Sequence, residues 1–140
     1  MPLARDRKNA LAFYRNIGSV KSPALGNAEI VFTSIGFRHL LRKGRISRTP
    51  SEQKSRLGLL KYVQSIIEDP RVVVTERKKA TKVKIHKHGS YVAKDSIITF
   101  WTFHKDVEGR SVKVVISQIG SGKRQFLSIM DANKNKKNPH

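Results

Sequence analysis

The segment Thr33-Ser34-Ile35-Gly36-Phe37-Arg38-His39-Leu40-Leu41-Arg42-Lys43-Gly44-Arg45 sets a histidine among cations. At about 100° per residue, Phe37, Leu40 and Leu41 share one helical face, while Arg38, His39, Arg42 and Lys43 gather on the other. An imidazole titrates near neutrality, so it can accept or donate a proton at physiological pH. Guanidinium and ammonium groups beside it suit phosphate oxygens and developing negative charge. Thr33 or Ser34 can cap such a helix, and Gly44 sits where it would stop. Taken alone, the same pattern also describes a solvated basic face with a bystander histidine.

Other polar residues interrupt apolar strands further on. In Ile97–His104 one face carries Ile97, Thr99, Trp101 and Phe103, and the other runs from Ile98 and Phe100 into Thr102 and His104. Val112, Val114 and Ile116 lead to Gln118, and Ser128 stands among Phe126, Leu127, Ile129 and Met130. A sheet rising from the core into a cleft has this pattern, as does a strand end fraying into solvent. A lone serine in such a strand is more often a satisfied core hydroxyl than a nucleophile. Gly120-Ser121-Gly122-Lys123-Arg124 is not a phosphate loop: Arg124 stands where Ser or Thr is required, and a strand rather than a helix follows. It reads as a hairpin turn whose two cations can touch a nucleic-acid backbone. His86 and His88 share a strand face, but no carboxylate or cysteine accompanies them, and no metal site or other cofactor is expected. Glu52, Glu68 and Asp69 have helix-boundary explanations.

The elements that must position these groups follow from periodicity. Thr49-Pro50-Ser51-Glu52 predicts a helix start with a capping box, and Leu59, Leu60, Val63, Ile66 and Ile67 then recur at helical spacing up to Asp69-Pro70. Beyond Pro70, β-branched runs with short connections predict antiparallel strands. The expected class is α+β, with two N-terminal helices packed on a twisted antiparallel sheet of four to six strands. Residues 1–26 read as a leader or linker, helical at most in part; 27–131 form the domain; 132–140 read as a disordered basic tail.

Composition narrows the partner. Of the 140 residues, 29 are Lys or Arg against 10 Asp or Glu, a formal net charge of +19, which makes polyphosphates the first partner class. No apolar run approaches the roughly 18 residues of a membrane span, and no signal-peptide core follows the N-terminal charges, so a non-membrane monomer is expected. The absence of cysteine excludes disulfides, thiolate metal sites and cysteine nucleophiles.

The order of parts resembles the barnase/EndoU/colicin/RelE-like (BECR) metal-independent ribonucleases, in particular their phage- and toxin-associated branch. The residues that carry it are His39 in Phe37-Arg38-His39-Leu40-Leu41, the second-helix ending Ile67-Glu68-Asp69-Pro70, and Ser128 on the last strand, so the likeness covers roughly residues 27–131. A second histidine on the first helix is missing, and Lys43, Arg45 and Arg48 occupy that neighbourhood. The resemblance implies an endoribonuclease cleaving by 2′-OH attack to a 2′,3′-cyclic phosphate, with His39 as acid–base residue. His104, Ser128, Gln118 and Thr102 would complete the catalytic site; Arg38, Arg42, Lys43, Arg45, Arg48, Lys123 and Arg124 would bind substrate. It further implies RNA, preferably a tRNA, as substrate, and an acidic immunity protein as partner. Action would be cytoplasmic, with delivery inside a larger secreted or phage-borne protein. The alternative is a basic RNA- or DNA-binding protein without chemistry, phage- or ribosome-associated. Its weak point is a 7% aromatic content, poor for a base-stacking platform.

Overall fold

A computed structural model describes residues 3–132, apart from the side chain of Lys87. The first helix, α1 (Leu3–Ile17), is followed by strand β1 (Ser19–Ser22), a 3-10 turn and β2 (Ala28–Val31). Then come α2 (Ser34–Leu41), a two-residue-per-strand ribbon β3–β4 (Arg42–Lys43, Ile46–Ser47) and α3 (Pro50–Glu68). Four strands close the order: β5 (Val73–Lys87), β6 (Ser90–Val107), β7 (Arg110–Ile119) and β8 (Arg124–Asp131). The main sheet has the order β1-β2-β8-β7-β6-β5.

An α+β fold with about six sheet strands is therefore observed, but two expectations need correction. The helices number three among the described residues, and the sheet is mixed rather than antiparallel, because β2 runs parallel to β8 through Ile30↔Arg124 and Val31↔Gln125. The segment read as leader or linker holds α1 and β1, whose Tyr14 and Val20 lie in the common core. The thin apolar stripe of α1 concealed this, since Tyr14 is its only fully buried residue. Expectations for the tail beyond Ala132 lie outside the described residues.

Helix α3 supplies the spine of the core. Its expected stripe of Leu59, Leu60, Val63, Ile66 and Ile67 is buried throughout, against Trp101, Phe103, Val114, Ile116, Phe126 and Ile129 of the sheet. Such burial contributes roughly 1.5–3 kcal/mol per large side chain before entropy is charged against it. The Thr49 hydroxyl accepts the Glu52 N–H at 3.2 Å, so the predicted cap is present. At the other end, Asp69 is bridged to Lys105 of β6 at 2.8 Å.

Helix α2 is held differently. A Cβ on Gly36 would collide with the Phe126 carbonyl oxygen and stand 2.7 Å from the Tyr14 hydroxyl. Only glycine lets α2 lie this close to β8, and Tyr14 then donates to the Thr33 carbonyl at 2.6 Å. Thr33 occupies the N-cap position, yet its side chain donates to Gln125 Oε1 at 3.0 Å and caps nothing. Gly44 lies beyond the helix end, at φ +63° in the turn between β3 and β4.

Gly36→Ala is expected to destabilise the protein by about 1–3 kcal/mol, because the obstructing atom is backbone and cannot rotate away. The gain in helix propensity, about 1 kcal/mol, offsets only part of this. A urea-unfolding midpoint at or above the unaltered protein's would contradict the close packing of α2.

Candidate functional site

His39 leaves α2 on its half-buried side, and its surroundings are built by the three residues Arg48, Glu52 and Arg56. Arg48 precedes α3 and returns to α2: its Nε donates to the His39 carbonyl at 3.0 Å and its backbone N–H to the Leu41 carbonyl at 2.8 Å. Gln53 Nε2 in turn donates to the Arg48 carbonyl at 2.7 Å. The excursion through β3 and β4 is thus stapled at its base.

One carboxylate oxygen, Glu52 Oε2, meets Arg48 Nη1 at 2.6 Å and Arg56 Nη2 at 3.4 Å. Arg56 Nη1 donates to the Ser128 hydroxyl at 2.7 Å, joining α3 to β8. The arginine side chains are only 7% and 13% exposed, against 31% for Glu52, so two largely desolvated guanidiniums share one partly exposed carboxylate. The excess of one positive charge is what a bound anion would neutralise.

This field acts on His39. Burial lowers its pKa below the ordinary value, and the Arg48 and Arg56 charges lower it further; its own carbonyl pulls the other way without cancelling them. The ring is therefore neutral at pH 7. Its Nδ1 is buried without a hydrogen-bond partner, so proton exchange with a ligand falls to Nε2. Burial and Arg48 also lower the Arg56 pKa, opposed by Glu52, but a guanidinium stays charged throughout the physiological range.

Ser128 reaches Arg56 because β8 is irregular. Val115 pairs with Ser128 but Ile116 with Phe126, so one residue is extra, and Ser128 and Ile129 are both buried although consecutive. Nearer the start of β8, the Arg124 guanidinium lies 5.1 Å from the centre of the Trp101 ring, whose Nε1 donates to Glu76 at 2.8 Å.

Of the residues singled out in the sequence, Arg48 and Ser128 are joined through Glu52 and Arg56, and His39 is tied to them through its backbone carbonyl, its ring lying within the field of the two arginines. Thr102 and His104 are not part of this cluster. Trp101 and Phe103 face the core, so alternation sends Thr102 and His104 to the opposite face, where His104 Nε2 lies 3.2 Å from Thr75 Oγ1. Gln118 closes the turn after β7 by donating to the Gly122 carbonyl at 2.7 Å. Arg38, Lys43, Arg45 and Lys123 are exposed, and Arg42 is turned onto the Arg45 carbonyl at 2.6 Å. Sequence reasoning missed Arg56 and the real use of Glu52. The spacing Arg48, Glu52, Arg56 looks like ordinary i, i+4 surface pairing, and only packing reveals that it is buried.

Among the described residues no group of His, Asp and Glu could hold a metal ion, and no helix is long and apolar enough to cross a membrane. Comparison with protein-family models, with curated proteins and with solved structures finds no match to this chain.

Two outcomes follow from the cluster. Imidazole NMR should place the His39 midpoint below 6.5, and Arg56→Gln should raise it; a midpoint above 6.5 in the unaltered protein contradicts the packing. Because the folded pKa is depressed, the unfolded chain binds the proton first, so the stability contribution is lost as pH falls from about 6.5 through the folded value. Glu52→Gln should cost about 2–3 kcal/mol in urea unfolding, less than for a fully buried pair because the carboxylate is partly solvated.

Proposed function

We propose that the protein is a metal-independent endoribonuclease that uses its substrate's 2′-OH as nucleophile. The observation that carries this reading is the placement of a neutral, proton-accepting His39 in the field of Arg48 and Arg56, whose joint charge Glu52 only half offsets. A phosphodiester fits that excess charge, and a base beside it fits the proton that must leave a 2′-OH. The resemblance of His39, the Ile67-Glu68-Asp69-Pro70 helix ending and Ser128 to the BECR ribonucleases, together with the net charge of +19, supports the same reading.

On this reading His39 Nε2 takes the 2′-OH proton as the 2′-oxygen attacks phosphorus. The bond to the 5′-oxygen breaks, giving a 2′,3′-cyclic phosphate and a 5′-OH. The N–H groups of Arg48 and Arg56 not committed to His39, Glu52 and Ser128 hold the non-bridging oxygens, where charge accumulates. Ser128 is a positioning residue: it fixes the Arg56 fork and does not itself touch phosphate. His104 has no part, being on the other face of the sheet. Phosphate binding should raise the His39 pKa, converting the ring after proton uptake into the acid that protonates the leaving oxygen. A tRNA substrate and an acidic immunity protein remain parts of this proposal, the latter suited to the charge by fast, salt-sensitive association.

Incubating RNA with the protein in EDTA tests the mechanism. Cleavage with 2′,3′-cyclic phosphate termini is expected, falling about 10²–10⁴-fold in His39→Gln. Cleavage at an undiminished rate in that variant, or its loss on chelation, would remove the mechanism. A salt-dependent gel shift with no products would instead favour a non-catalytic nucleic-acid-binding protein.

A further inference from the structure

Strands β5 and β6 extend far beyond the rest of the sheet. β7 pairs with β6 only over Ile98–Val107, whereas the β5–β6 register continues from Ala80↔Ile97 out to Lys87↔Ser90. At about 3.3 Å per residue this free two-stranded arm reaches roughly 25 Å. Its tip turns through His88 and Gly89, at φ +53° and +81°, the left-handed pair that matches the twist of a two-residue hairpin. Its base is tied to the turn after β7 by the Gly120 N–H donating to the Ile97 carbonyl at 2.8 Å.

Nothing in the core requires this arm, yet its composition is biased. Residues 79–97 contain five lysines against the single acid Asp95. The register puts Lys82, Lys84 and His86 on one face with Tyr91, all four exposed. It also sets the exposed Asp95 opposite Lys82 on that face, so the cationic excess there rests on Lys84 and on the lysine that Asp95 only partly offsets. Alternate residues on one strand stand about 6.6 Å apart, a spacing that lets successive cations follow one phosphate strand. Tyr91, 72% exposed with its ring centre 5.1 Å from that of His86, is the arm's only ring for stacking besides the histidines. Contact is therefore made chiefly with phosphates, and cations spaced regularly along a paired ladder suit the regularly spaced phosphates of a helical backbone better than those of a flexible single strand.

We infer that the β5–β6 arm binds a double-helical segment of the RNA whose unpaired neighbour is cleaved at His39. This rests on the ribonuclease reading for the substrate's identity, and it makes that substrate a structured RNA with a stem beside the cut.

The test uses Lys82→Ser/Lys84→Ser, two exposed changes far from the core. Binding is measured with His39→Gln protein, with and without the double change, to an RNA hairpin over a salt series. Removal of the lysines should weaken hairpin binding about tenfold and reduce the slope of log K against log salt by about 1–2. In the cleaving protein, the ratio of hairpin to dinucleotide kcat/KM should fall by a similar factor, through KM. Unaltered hairpin affinity and slope overturn the inference, as would capture by anionic vesicles with no hairpin binding. If no RNA is cleaved but the double change still weakens hairpin binding, the arm stands and the catalytic reading falls. Cleavage with an unaltered hairpin-to-dinucleotide ratio gives the reverse.

Discussion

Glu52 Oε2 lies between two guanidiniums, and the candidate site depends on that shared oxygen. Through Arg48 it reaches the carbonyl of His39 on α2; through Arg56 it reaches Ser128 on β8. Two other elements, α2 and β8, are thereby tied to the first turn of α3, where an acidic residue also suits the helix dipole. A carboxylate held by two nearly buried arginines cannot be lost cheaply, because each cation would remain desolvated without it. The arrangement is also incomplete as a charge balance. One positive charge is left over, and the neutral imidazole beside it does not compensate.

The close approach at Gly36 serves the same geometry from the other side. With α2 resting on the Phe126 backbone, the histidine two turns from Thr33 is carried to the level of the Arg48 staple. A larger residue would lift α2 and with it His39, whereas the α3 side of the cluster is anchored independently by its buried apolar stripe. Position on α2 and charge on α3 are thus controlled by separate contacts: steric at one, electrostatic at the other.

The sheet divides its labour similarly. From β1 across to the second half of β6 and the start of β5 it forms the floor of the core, whereas β5 from Ala80 on and the first half of β6 leave that core and carry exposed lysines outward. The same strand β6 supplies Trp101 and Phe103 to the interior and Tyr91 to the exposed arm. Interior and ribbon therefore share one uninterrupted backbone ladder, which gives the arm a rigid root.

Much of the architecture was legible in the residues themselves. The cap at Thr49, the stripe from Leu59 to Ile67 and the strand alternation around Trp101 are local patterns, and local periodicity survives into the structure because burial selects for it. His39 and Ser128 could be singled out as polar residues against apolar backgrounds. What could not be read was contact across the chain. The parallel pairing of β2 with β8 joins residues about ninety positions apart, and no local signal encodes it. Tyr14 sits on a helix too weakly apolar to announce a core residue. Arg56 looked like a helix-surface cation, and His104 looked like a partner for His39 until the sheet's two faces separated them. Sequence alone determined which groups were available, because residue type and spacing fix chemistry and periodicity. Tertiary structure decided which of them meet, because burial, a bulge in β8 and one shared carboxylate are properties of packing rather than of any segment.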